Sequence, residues 1–233
     1  MTDRQPLVLL PGLLCDPRLW AHQSEALSDI ADVTVADMTR DDSMAGMARR
    51  ALDAAPERFA LAGLSMGGYV ALEIMRQAPE RVTRLALLDT GSRADTPEQT
   101  TRRRDLISLA DRGEFKAVSP RLLPLFIHEG RLEDAALVAD IAAMADAVGK
   151  EAFLRQQHAI MNRPDSRPEL PGIACPTLVL CGRQDVLTPP ELSEEMASLI
   201  PGADLVMVEA CGHLSTMERP DEVNAAMRSW LTG

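Results

Sequence analysis

The chain has 233 residues, enough for one α/β domain to bury a full core. Apolar residues make up 46% and charged residues 25% of it, ordinary globular usage that argues against a disordered or fibrous chain. Its 35 acidic and 24 basic side chains leave a net charge of -11, the wrong sign for neutralising phosphates or anionic lipid heads, so neither nucleic acid nor a membrane is an expected partner.

Taken in chain order, the first apolar run is Leu7 to Leu10, ending at Pro11-Gly12-Leu13-Leu14. It has no basic leader and no small-residue cleavage site. No run in the chain approaches the roughly 18 apolar residues of a membrane span, so a cytoplasmic location is expected. Further short runs follow at Val33 to Ala36, Phe59 to Leu64 and Leu85 to Leu88, then at Thr177 to Cys181 and Leu205 to Val208. Such continuous runs, alternating with helical patterns, read as buried parallel strands joined by crossover helices. The expected class is therefore α/β, a mostly parallel doubly wound sheet with helices on both faces.

Between Asp89 and Cys175 the strand signal disappears. Leu137, Ile141, Met144 and Val148 share one helical face, with Gly149 at a C-terminal cap position, and a second pattern starts near Lys150 and must end before Pro164. Residues 93–170 are expected to form a helical cap inserted into a core made of residues 1–92 and 171–233. The cap carries enough apolar surface to roof a pocket, with Leu122, Leu123, Leu125, Phe126 and Met161 as candidates. The basic triplet Arg102, Arg103 and Arg104 reads as a solvated helix face. Cys15, Cys175, Cys181 and Cys211 show neither a CxxC pair nor zinc spacing and read as structural thiols.

The segment Gly63-Leu64-Ser65-Met66-Gly67-Gly68 joins a buried strand directly to a helix. A serine on so sharp a turn projects its hydroxyl from the C-terminal edge of the sheet. Small flanking residues are needed because strand and helix nearly touch there. A serine hydroxyl is a weak nucleophile at neutral pH, so a base must take its proton and an acid must orient that base. Of the four histidines, His22 lies in an early helical segment, and His128 and His158 lie in the inserted region. His213, in the small-residue loop Ala210-Cys211-Gly212-His213 after the last strand, is the expected base. Asp185, in the turn Gly182-Arg183-Gln184-Asp185 after the strand Thr177 to Cys181, is the expected acid, with Asp89 and Asp37 as rivals at other strand ends. The backbone amides of Met66 and Leu13 are the expected oxyanion donors, with Leu14 as alternative to Leu13. Leu14, Leu125, Phe126, His128, Met161 and Leu214 are candidate substrate contacts.

With the turn after the first strand, these segments resemble the α/β-hydrolase superfamily in its small, helical-capped branch of esterases and lactonases. The matching pieces are Leu9-Leu10-Pro11-Gly12-Leu13-Leu14, Gly63 to Gly68, Gly182 to Asp185 and Gly212-His213. The first has Pro11-Gly12 where many members have His-Gly. The resemblance implies a Ser65, Asp185, His213 triad under a cap that selects a small-molecule ester or lactone, with no metal or organic cofactor. A nucleophilic serine argues against the dehalogenases and epoxide hydrolases of this fold, which use aspartate. Carbon-carbon bond hydrolysis or a cofactor-free perhydrolase would use the same triad, and a non-catalytic ligand receptor would use the same fold.

Overall fold

A computed structural model of the chain describes residues 4–233. In chain order the elements are β1 (Gln5–Leu10), α1 (Ala21–Ala26), β2 (Ala31–Val35), α2 (Met44–Ala54), β3 (Phe59–Leu64), α3 (Met66–Gln77) and β4 (Val82–Leu88). The helices α4 (Pro97–Leu109), α5 (Val118–Phe126) and α6 (Ala135–Met161) follow. The chain then resumes with β5 (Thr177–Gly182), α7 (Pro190–Leu199), β6 (Asp204–Val208), α8 (Ser215–Glu218) and α9 (Pro220–Thr232).

All six strands foreseen from the apolar runs are present, each within a few residues of its expected bounds. They form one parallel sheet in the order β2-β1-β3-β4-β5-β6. Every residue of β3 and β5 is buried, because helices cover both faces of the sheet interior. The edge strand β2 alternates instead, with Ala31 buried and Val33 and Val35 half-buried between exposed Asp32 and Thr34, and β6 begins with exposed Asp204 and Leu205. Helix α2 packs on α3, and α1 packs on α9. No helix among the described residues is long and apolar enough to cross a membrane.

The register aligns the strands at one end: Leu10 pairs with Gly63, Leu64 with Leu88, and Leu88 with Leu180. Residues immediately after β1, β3, β4 and β5 therefore emerge along one edge of the sheet. Between β4 and β5 the chain forms only helices and turns. Helix α4 opens with a capping box, in which Thr96 accepts from the Gln99 amide and Gln99 accepts from the Thr96 amide. Gly149, at φ 75°, breaks the long α6 into two helical halves at the position where the sequence placed a cap.

Candidate active site

Ser65 stands between β3 and α3 with φ 55° and ψ -115°, a left-handed conformation a serine adopts only when its surroundings impose it. The two neighbouring glycines are what make that turn possible. A Cβ on Gly63 would overlap the carbonyl of Gly67, and a Cβ on Gly67 would overlap the carbonyl of Leu10. Strand and helix thus approach to backbone contact, and the Ser65 amide is tied across to the Leu88 carbonyl at 3.0 Å.

Asp185 follows β5 in a tight turn, its amide donating to the Gly182 carbonyl at 3.1 Å. A Cβ on Gly182 would overlap the Gly212 carbonyl, so this turn and the loop carrying His213 meet at backbone contact too. Three stretches far apart in the chain thereby converge. His213 Nε2 lies 2.8 Å from Ser65 Oγ, and His213 Nδ1 lies 2.7 Å from Asp185 Oδ2. The Asp185 carboxylate is otherwise fully occupied. Its Oδ1 accepts from the amides of Leu187 and Thr188 at 2.8 and 2.9 Å, and its Oδ2 accepts from the Thr188 hydroxyl at 2.6 Å. The rivals are placed differently. Asp37 is exposed and bonded to Thr39 and Arg40, whereas Asp89 is fully buried behind the site, accepting from the Gly182 amide and the Ser215 hydroxyl. His22 and His158 are exposed.

The electrostatics follow from burial. Desolvation would push the His213 imidazole below its ordinary value, but the charge and hydrogen bond of Asp185 outweigh it and hold the ring above that value. Asp89 itself is pushed up to about 8 by burial and by the Asp185 charge, so it keeps its proton at neutral pH. Burial also raises all four thiols, Cys15 to about 12, which makes them inert packing groups.

The loop bearing His213 is held by the helical segment above the sheet. Gly212 and His128 both donate their amides to Glu218, at 3.0 and 2.7 Å, while the amides of His213 and Leu214 share the Phe126 carbonyl. The Phe126 ring stacks on the imidazole with centroids 6.1 Å apart.

On the far side of Ser65, Leu13 and Leu14 separate in role. The Leu14 amide, expected as an alternative donor, is taken by Gln156 Oε1 at 3.1 Å, and Gln156 in turn donates to the Met38 carbonyl. The Leu13 amide has no partner among the described residues. Met66 opens α3, where a first-turn N–H has no acceptor within the helix.

A cleft of about 760 Å³, including its mouth, opens onto Ser65 and His213. Leu125, Phe126 and Leu214 line it as expected, joined by Leu106 and Ile160. Three expected contacts lie elsewhere. Leu14 turns its side chain into the core at φ 60°. His128 uses Nδ1 to accept from the Gly130 amide, closing a turn. Met161 falls on the outer side of α6, in a surface groove shared with Arg104 and His158. The reading of the arginine triplet as a solvated face holds for Arg102 and Arg104, which are exposed, and is corrected for Arg103, which is half-buried and bonded to Asp95 and Gln157; Arg102 and Arg103 line the cleft. Sequence reasoning also passed over Thr188, whose hydroxyl sits 3.2 Å from His213 Nδ1 besides bonding Asp185.

Residues 7–226 match the model of the alpha/beta hydrolase family. The chain is 30% identical over 233 residues to a pimeloyl-[acyl-carrier protein] methyl ester esterase of Nitrosomonas europaea, covering 93% of this chain and 91% of that one. Among solved structures it resembles a thermophilic esterase from Thermogutta terrifontis, with TM-score 0.88 and 31% identity, covering 97% of this chain and 89% of that one. An enol-lactonase from Burkholderia xenovorans gives TM-score 0.88 at 26% identity, covering 99% and 92%. With the parallel sheet and the serine turn already described, these matches establish that the chain belongs to the alpha/beta hydrolase family and is an enzyme of that type.

Proposed function

We propose that this enzyme cleaves a carboxylic ester, thioester or lactone of a small, largely apolar substrate through an acyl-enzyme intermediate on Ser65. The reading is carried by one observation, the unbroken hydrogen-bonded line from Asp185 through His213 to Ser65. Ser65 Oγ attacks the carbonyl carbon as His213 Nε2 takes its proton. The tetrahedral oxyanion is held by the amides of Leu13 and Met66, each contributing on the order of a hundredfold to a thousandfold in rate. Collapse breaks the bond to the leaving oxygen or sulfur, which receives the proton from His213. Water then repeats the sequence on the acyl-serine and releases the acid. Asp185 accepts from His213 Nδ1, fixing the tautomer with its proton on that nitrogen. The apolar cleft wall of Leu106, Leu125, Phe126 and Ile160 suits an acyl chain. The relatives named as esterases and an enol-lactonase support this chemistry.

Replacing Ser65 with alanine is expected to lower turnover of an ester substrate about 10⁶-fold and to abolish labelling by a fluorophosphonate, with the circular dichroism spectrum unchanged. Labelling at another residue, or turnover surviving the change, would refute the assignment.

A further inference from the structure

The cleft is apolar near Ser65, but its α4 and α6 side carries hydrogen-bond donors that the chemistry above does not use. Arg102 is exposed at the cleft and has no ion-pair or hydrogen-bond partner among the described residues. Beside it, Arg103 donates to Gln157 Oε1 at 3.1 Å, which fixes the orientation of the Gln157 amide. The other end of that amide, Nε2, is completely buried and has no partner, although the residue lines the cleft. A buried donor left unsatisfied is costly, so a ligand acceptor at this position would strengthen binding.

Charge points the same way. Asp95 is the single carboxylate between Arg103 and Arg163, so this buried cluster holds one positive charge in excess even before Arg102 is added. No aspartate or glutamate lines the cleft at all. In a chain of net charge -11, two arginines and a free amide donor on one wall of an apolar cleft form a receptor for a planar anion.

We infer that the preferred substrate carries a carboxylate at the end of its acyl chain remote from the scissile carbonyl, bound by Arg102, Arg103 and Gln157 Nε2. The substrate class is thus the monoester, or the carboxylate-bearing lactone, of a dicarboxylic acid. This inference rests on the acyl-transfer role of Ser65.

The test compares kcat/KM for the monomethyl esters of succinic through suberic acid with those of methyl alkanoates of matching length, in the wild type, Arg102→Ala and Gln157→Leu. The wild type is expected to favour the carboxylate ester at least tenfold at its best length. The ratio should fall about 10- to 100-fold in Arg102→Ala, chiefly through KM, and more steeply at low salt. Arg102 is exposed, so its removal should leave the fold intact and keep the comparison meaningful even if Gln157→Leu is unstable. A wild-type ratio at or below one, or a ratio unmoved by Arg102→Ala, overturns the inference. So does failure of every ester in the series while a fluorophosphonate still labels Ser65, an outcome that leaves the serine chemistry standing. Absence of both turnover and labelling would instead overturn the role of Ser65 and this inference with it.

Discussion

Replacing Asp185 with asparagine would separate orientation of the base from its mere presence. The asparagine Oδ1 can keep the amides of Leu187 and Thr188, so the turn should hold its shape. At the other position, the oxygen that accepts from both His213 Nδ1 and the Thr188 hydroxyl becomes an NH₂ group. A donor now faces the His213 N–H, and the ring escapes by moving its proton to Nε2, the nitrogen facing Ser65. That tautomer cannot accept the serine proton. The expected loss is about 10⁴-fold in kcat, or about 5.5 kcal/mol of barrier. A second signature accompanies it. Asp185 is what lifts His213 above its ordinary value against the effect of burial, so the acidic limb of the kcat/KM profile, expected above pH 6.5 in the wild type, should move to lower pH. Stopped assays across pH 4–9, with circular dichroism to verify folding, decide the matter. A loss under tenfold with an unmoved acidic limb would refute the role of Asp185 and return attention to Asp89.

Two further outcomes follow from packing and titration. Gly67→Ala would drive a methyl group into the Leu10 carbonyl, a backbone atom unable to step aside, so a loss of about 3 kcal/mol or more and a melting temperature lower by about 6–12 °C are expected. An unchanged melting temperature would contradict the close approach of β1 and α3. Asp89 keeps its proton up to about pH 8 in the folded chain but loses it near 3.8 when unfolded, so between those values the folded state binds more protons and stability falls as pH rises. Asparagine titrates nowhere in this range; its Oδ1 can still accept from the Gly182 amide, and its NH₂ can donate to the Ser215 hydroxyl oxygen in place of accepting from it. Urea midpoints should therefore decline less from pH 5 to pH 8 in Asp89→Asn than in the wild type. His213, also raised when folded, contributes a remaining decline of the same sign in both proteins. Parallel declines would show that Asp89 is already ionised at neutral pH.

The sheet was legible because burial on both faces leaves its mark as unbroken apolar runs, which located β3 and β5 within a residue. The serine turn was equally readable, since Gly63 and Gly67 answer a steric demand local to a few residues. The positions of His213 and Asp185 followed from their standing in short loops directly after strands that end on one edge, the only histidine so placed and an aspartate three residues past β5. Other features depend on how separate helices come to rest, which no short pattern encodes. Helical periodicity sends Arg102 and Arg104, two residues apart on α4, to different sides, but it does not say which side meets the cleft and which an outer groove. That depends on where α6 packs. Gln156 and Gln157 are adjacent amides, and only tertiary contacts send the first to Leu14 and the second to Arg103. His128 drew attention as a histidine over the site, but its ring nitrogen closes its own turn.

The suspension of the His213 loop from Phe126, and of Gly212 and His128 from a shared Glu218, restricts how the enzyme can admit its substrate. If α5 swung away as a hinged lid, it would drag the imidazole off the serine, so an enzyme opened by that route is disarmed until it shuts. The α4 wall of the cleft, by contrast, makes no hydrogen bond to the His213 loop among the described residues. For engineering, a roof transplanted from a relative has to bring a carbonyl acceptor equivalent to that of Phe126, or the recipient will bind and not turn over.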